Sequence, residues 1–321
     1  MSDSIPDKPP SVASDPGFMV RAVRHVYSMP HLLLTITTLA WAGNTVLAKG
    51  VVDLLPPVTL AFWRWSVALI LLAPFAWPYL KKDRREIFKS WLPLTGISIS
   101  GVSCYNTFLY IGVQTTTAVN SGLILATGPA AIVVLSRLVL KTRISGIQFY
   151  GLTLSFLGVV LIIANGSLET LTSLVFVRGD FWVIGSVMSS AVFSVLLHFR
   201  PRIHPMSFVF TTFMLGLLFL TPLFLWEHSR SAPIPVTGRI VASIAYVAIA
   251  PSIIAFFCWN RGIELIGASR AGLFLYLTPL FVAVMASLFL GEVLYWYHYA
   301  GMLLIFGGVF LFNRKRVVSA K

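Results

Sequence analysis

Charge is scarce in this sequence, and cysteine is nearly absent. Only 11% of the 321 residues are Asp, Glu, Lys or Arg, whereas 57% are hydrophobic. The two cysteines, Cys104 and Cys258, form neither a disulfide framework nor the spacing of a metal site. Both fall inside apolar runs, where a small side chain packs well. Acids number 11 and bases 24, an imbalance that in a soluble chain would suggest nucleic acid. The apolar majority removes that reading, because a soluble domain could not cover so much apolar surface.

What is present is a series of apolar stretches about 20 residues long, enough for a helix to cross a hydrocarbon core of about 30 Å. In lipid such runs satisfy their backbone polar groups internally as helices. Ten spans are predicted, at about 31–48, 58–78, 92–111, 118–139, 146–164, 180–197, 207–226, 239–258, 268–289 and 296–313. The fold class is therefore an all-α integral membrane protein. Residues 1–30, rich in Pro, Ser and Asp, read as a polar tail, not a cleavable signal, and residues 317–321 as a second short tail.

The bases sort by side. Lys81, Lys82, Arg84, Arg85, Lys89, Lys141, Arg143, Arg200, Arg202, Arg261, Arg270, Arg314, Lys315 and Arg316 fall on the side of the termini. Lys49, Arg178, Arg230 and Arg239 fall on the other. This asymmetry predicts both termini in the cytoplasm and a bacterial-type inner (plasma) membrane. It also accounts for the net charge of +13 without nucleic acid, leaving the lipid bilayer and a small-molecule solute as the expected partners. A monomer and a homodimer both remain open.

The chain repeats itself. Residues 112–158 lie over residues 262–308 at a constant shift of 150, so that Gly112 meets Gly262, Gly122 meets Gly272, Pro129 meets Pro279, Gly151 meets Gly301 and Gly158 meets Gly308. Upstream, "WAGNTVLAK" lies over "SAVFSVLLH" at a shift of 149. Residues 31–165 thus form one repeat and 179–316 the other, joined by an outer linker at 166–178. An odd number of spans per repeat makes the second enter the membrane from the opposite side, the inverted five-helix architecture of alternating-access carriers.

The stretches "LAWAGNTVLAKG", "PPVTLAFWRWSVALILL" and "YLTPLFVAVMASLFLGEVLYWYHYAGMLLIFGGVFL" resemble the drug/metabolite transporter superfamily, specifically its ten-helix EamA-type members. The resemblance implies a bundle with spans 1, 3, 4, 6, 8 and 9 around a central cavity and spans 5 and 10 at the periphery. It implies carriage of amino acids, related metabolites, sugars or drugs, with export favoured and no cofactor. The Leu290-Gly291-Glu292 turn follows the family pattern, whereas Leu140-Lys141-Thr142 departs from it.

Polar residues inside the spans are the candidates for substrate binding. Trp41 and Asn44 share a stripe of the first span with Thr37 and Thr45. Asn44 lies about 18 Å along it, so it either bonds a neighbouring helix or offers an amide to a cavity. Arg64 lies seven residues after Pro57. A guanidinium there costs at least about 2.5 kcal/mol unless it is paired or hydrated, so it either snorkels to the outer interface or meets a substrate carboxylate. In the third span Tyr105, Asn106 and Tyr110 provide a polar stripe, although Tyr110 also suits an interfacial aromatic belt. Tyr276 is the candidate phenol of the ninth span. Pro129 and Pro279, in register, each leave a carbonyl four residues earlier without its donor and so mark kinks or gates.

None of the 11 acids falls at the centre of a span, which argues against proton exchange for a cationic drug. The set an enzyme would need at membrane depth, a nucleophile, a metal cluster or paired carboxylates, is not found, so no catalytic or metal-binding residue is predicted and the expectation is not an enzyme. A channel or membrane-embedded receptor would not need inverted halves. The expectation is a secondary carrier of small polar metabolites, foremost amino acids, with drugs or other metabolites as the alternative.

Overall fold

The computed structural model describes residues 25–49, 55–231, 237–290 and 293–313, and its regular elements are all helical. Expectations for the N-terminal tail up to residue 24, for Asp53, Gly291 and Glu292, for the basic cluster from Arg314 and for the tail at 317–321 lie outside the described residues. So does the side chain of Lys49.

Apart from a one-turn helix at Leu168–Thr172 and a 3-10 turn at Leu197–Phe199, the helices among the described residues are α1 (Pro30–Lys49), α2 (Pro57–Lys89), α3, α4, α5 (Gly146–Ile163), α6 (Arg178–Leu196), α7 (Pro205–His228), α8, α9 and α10 (Trp296–Asn313). Four of them are interrupted. α3 runs Trp91–Ser98, widens into a π turn at Ile99–Cys104 and resumes as Tyr105–Val113. α8 repeats the device as Gly238–Ala248, a π turn at Ile249–Ile254, and Ala255–Ile266. α4 comprises Ala118–Ala126 and Gly128–Leu140; α9 comprises Ala268–Gly272, a 3-10 turn Leu273–Tyr276, and Leu277–Leu290. Among the described residues, seven helices are long and apolar enough to cross a membrane, so the chain is an all-α, multi-pass membrane protein.

Local chemistry explains where helices begin. Pro57 and Pro205 occupy the first turn of α2 and α7, where a missing N–H costs nothing. Thr117, Ser145 and Thr237 accept from the backbone N–H three residues on and cap α4, α5 and α8. Gly267, at φ +82°, lets the chain leave α8 and re-enter as α9. The structure corrects one boundary: α2 continues to Lys89, whereas the second span was expected to stop near 78. "KKDRREIFK" holds good helix formers and no glycine or proline, so the helix continues out of the apolar zone.

α2 packs on α7, α5 on α10, α1 on α8 and α9, and α6 on α3 and α4. In the α5–α10 pair, a Cβ at Gly151 would meet the Gly308 carbonyl at 2.6 Å and one at Gly158 the Gly301 carbonyl at 2.7 Å. The two helices are antiparallel and in backbone contact, as small residues allow. The α2–α7 pair is tied at both ends by carboxylates. Glu227 accepts from the Val58 and Thr59 N–H groups at 3.2 and 2.7 Å and from the Thr59 hydroxyl at 2.8 Å. At the other end, Asp83 accepts from the His204 N–H at 2.9 Å. Each carboxylate meets the positive end of the partner's dipole. Glu227→Gln is expected to cost about 1–2 kcal/mol, read as a lower thermal midpoint in detergent; an unchanged midpoint would reduce the cap to a surface contact.

At the centre, Trp65, Phe193, Phe213 and Phe256 form an aromatic cluster joining α2, α6, α7 and α8. Trp65 lies 4.6 Å from Phe213, and Phe256 lies 5.2 Å from Phe193, centroid to centroid.

Candidate functional site

The site begins with a backbone fault. Pro251 sits in the π turn of α8. The Ala255 N–H, which in an α-helix would donate to the Pro251 carbonyl, donates to the Ala250 and Ser252 carbonyls instead. The Pro251 carbonyl is thereby turned to other partners. It accepts from the Trp41 indole Nε1 at 3.1 Å and from Arg64 Nη2 at 3.1 Å, which brings α1 and α2 onto α8.

Arg64 does not snorkel. Its side chain is buried, with 3% of its surface exposed, and it reaches across the bundle. Nε donates to the Ser252 hydroxyl at 2.5 Å, and Nη1 to Asn106 Oδ1 at 3.1 Å and the Tyr110 hydroxyl at 3.3 Å. The guanidinium carbon stands 4.8 Å from the Trp65 ring centre. The Ser252 hydroxyl in turn donates to the Val247 carbonyl at 2.6 Å. Four of the guanidinium's five N–H groups are engaged, every acceptor is neutral, and among the described residues no carboxylate pairs with Arg64. A buried cation satisfied in hydrogen bonds but not in charge remains an attractor for an anion.

Trp41, Arg64, Asn106 and Tyr110 are therefore brought together. Asn106 and Tyr110, one turn apart on α3 just beyond its π turn, are both buried, so Tyr110 serves the interior and not an interfacial belt. Trp41 also lies against Trp259, 5.2 Å between ring centres. The other candidates stand outside this hydrogen-bonded set. Asn44 is partly buried and its Oδ1 has no partner among the described residues; beside it, Gly43 gives the Tyr246 hydroxyl room against α1. Among the described residues none hydrogen-bonds the Tyr105 hydroxyl. Tyr276 is buried in the 3-10 turn of α9, its hydroxyl also unpartnered. Pro129 is the second residue of Gly128–Leu140 and Pro279 the third of Leu277–Leu290. Both follow interruptions of the α-helix and lie outside the Arg64 cluster.

Sequence reasoning missed Pro251, Ser252 and Asn260. The first carries its own signal, a proline inside an apolar run like Pro129 and Pro279. Asn260, in register with Tyr110, is buried with both amide atoms unpartnered among the described residues. Asp180 is a fully buried carboxylate near the start of α6. It accepts from the Val177 N–H at 2.8 Å, from Asn120 Nδ2 at 3.0 Å and from the Thr116 hydroxyl. With three donors around it, Asp180 ties α6 to the start of α4 and does not approach the Arg64 cluster.

A separate cavity of about 900 Å³ opens where α4 ends, α6 joins α7 and α8 joins α9, and its wall includes no member of the Arg64 cluster.

The model of the EamA-like transporter family matches residues 28–164 and again residues 177–314. The chain is 31% identical to an uncharacterized transporter of Archaeoglobus fulgidus, covering 90% of this chain and 99% of that protein. It is 30% identical to the uncharacterized transporter YyaM of Bacillus subtilis, covering 88% and 93%. A probable terminal-alkyne amino-acid exporter of Streptantibioticus cattleyicolor is 27% identical, over 88% of this chain and 92% of that one. Among solved structures, one crystal structure shares the fold with a TM-score of 0.70 at 18% identity, covering 89% of this chain and 96% of the other.

Proposed function

From its place in the EamA-like transporter family, to which this chain belongs, we propose that the protein is a secondary carrier of small carboxylate-bearing metabolites, foremost amino acids, and that it exports them. The observation carrying the carboxylate is Arg64, buried among neutral acceptors with a positive charge that nothing described neutralises. A carboxylate is the commonest anionic group of a small metabolite and matches a guanidinium in shape. Trp41 and Trp259 supply apolar surface beside it, Asn44 and Tyr276 supply polar atoms without a partner among the described residues, and Tyr105 adds a further phenol. Export is supported by the family resemblance and by the Streptantibioticus relative, a probable terminal-alkyne amino-acid exporter.

The mechanism we infer is alternating access between two inverted five-helix repeats in a bacterial-type inner membrane, with both termini cytoplasmic. The two matches to one family model support the repeat. So do the π turns at Ile99–Cys104 and Ile249–Ile254, separated by the same 150 residues as the sequence register. In that frame the 900 Å³ cavity faces the cytoplasm, the Arg64 cluster lies between it and the outer side, and the breaks before Pro129 and Pro279 are where α4 and α9 would bend.

Counterflow tests the reading: proteoliposomes preloaded with neutral, acidic, basic or aromatic amino acids, each with its labelled tracer. Saturable accumulation in at least one pool is expected; silence in all of them, from folded protein, would remove amino acids. Against the responding pool, Asn44→Leu is expected to raise the half-saturating concentration by roughly 3- to 10-fold, the loss of about one hydrogen bond. Unchanged half-saturation and rate would take Asn44 out of the site.

A further inference from the structure

We propose that the cavity at the end of the bundle where Tyr27 and Phe312 lie is a second site, separate from Arg64, that binds a doubly charged phosphoryl group. Five arginines line it: Arg143 after α4, Arg200 and Arg202 between α6 and α7, Arg261 in the last turns of α8, and Arg270 at the start of α9. They come from four segments and from both halves of the chain. One carboxylate joins them. Glu264 accepts from Arg200 at 2.7 Å and from Arg261 at 2.8 Å, holding the α6–α7 connection against α8. Arg261 is further fixed by its Nε donating to the Tyr27 carbonyl at 3.2 Å. Arg143, Arg202 and Arg270 have no carboxylate partner among the described residues, so the wall retains a large positive excess.

The bias of basic residues toward one membrane face explains the sign of these charges but not their arrangement. Lys81, Lys82, Arg84, Arg85 and Lys89 obey the same bias on the α2 extension and contribute nothing to the cavity. The cavity also has unspent neutral donors. Ser136 lines it with 1% of its surface exposed, and neither its hydroxyl nor that of Ser269 on the same wall has a partner among the described residues. A buried hydroxyl left without a bond is costly, and an oxyanion in the cavity would satisfy it.

The number of donors selects the anion. One guanidinium suffices for a carboxylate, in two parallel bonds. Three unpaired guanidiniums with two hydroxyls suit a group with three strongly accepting oxygens and nearly two charges, which is a phosphomonoester. A volume of about 900 Å³ also leaves room for the organic part of the ligand. That group could belong to a soluble metabolite or to the headgroup of phosphatidic acid.

The full-length protein in phosphatidylcholine nanodiscs distinguishes these sources. Calorimetric titration with phosphoserine is expected to show saturable binding that persists in Arg64→Gln, a variant in which serine, lacking the phosphoryl group, is expected to show none. Arg143→Gln/Arg202→Gln/Arg270→Gln is expected to weaken phosphoserine about tenfold or more, because it removes three charge-assisted contacts. Ser136→Ala is expected to weaken it several-fold without lowering the thermal midpoint, since no described residue bonds the hydroxyl. Arg64→Gln is expected to leave this binding intact while abolishing transport, so the two sites succeed or fail separately. If phosphoserine is silent but phosphatidic acid is retained in native mass spectra and lost from the triple variant, the lipid is the source and the phosphoryl site stands. The proposal is overturned if neither probe binds, if the triple variant binds as well as the wild type, or if serine binds Arg64→Gln as well as phosphoserine does.

Discussion

Arg64→Lys is expected to bring counterflow down about 100-fold or more, to near background, although it keeps the charge. The wild-type guanidinium donates in three directions at once: to Ser252 through Nε, to Asn106 and Tyr110 through Nη1, and to the Pro251 carbonyl through Nη2. An ammonium on a shorter reach cannot hold α3 and both acceptors of α8 together. It is also more strongly hydrated, and so loses more on burial. Arg64→Met separates role from scaffold. It removes a buried charge and leaves Asn106, Tyr110 and the Pro251 carbonyl short of a donor. These opposing effects place the net stability change within about 2 kcal/mol. Folded protein with a near-normal thermal midpoint and no counterflow is therefore the expected result for Arg64→Met. Transport above about a tenth of the wild-type rate in that variant would make Arg64 a structural post and remove the carboxylate anchor from the proposed function.

What could be read in the sequence, and what could not, divides along rotation. Apolar runs of about 20 residues locate helices because the hydrocarbon sets their length. The register of 150 residues follows from glycines and prolines that survive in both halves. Depth along an axis can be counted, which puts Arg64 about two turns into its span, but residue counting does not decide whether such a side chain turns outward to the interface or inward to the bundle. That choice was made by a carbonyl on another helix. The Pro251 carbonyl becomes available because the π turn of α8 diverts the Ala255 N–H, and a π turn has no compositional signature. The same blindness hid the α2 extension: a charged run after an apolar one reads as a loop, yet Lys, Arg and Glu are good helix formers once the chain has left the membrane. Asp180 lies near a helix end, as its place in the sequence suggests, but its burial depends on Thr116 and Asn120 arriving from around the start of α4, which residue counting does not show.

The glycines of α5 and α10 allow a controlled test of packing, and the largest expected loss of stability. At Gly308 the position of a Cβ is already occupied by the Gly151 carbonyl and by Ser155, whose N lies 2.7 Å away. At Gly307, its neighbour on the same helix, a Cβ would meet only Leu154 Cδ2 at 3.6 Å, an ordinary contact. Intrinsic helix propensity favours alanine over glycine by about 1 kcal/mol at either position. Gly307→Ala is therefore expected to be neutral or stabilising. Gly308→Ala is expected to destabilise by about 3 kcal/mol, the upper end of the usual cost of overpacking, because backbone and not a flexible side chain stands in the way. Gly158 occupies the equivalent place in the first half, with the Gly301 carbonyl 2.7 Å from its would-be Cβ. If the two halves are one motif inserted in opposite directions, Gly158→Ala and Gly308→Ala disturb one contact seen twice and lower the thermal midpoint by similar amounts. A Gly308→Ala variant as stable as Gly307→Ala would show that the two helices do not pack backbone to backbone. A large loss at Gly308 with none at Gly158 would leave that packing in place and break the symmetry between the halves.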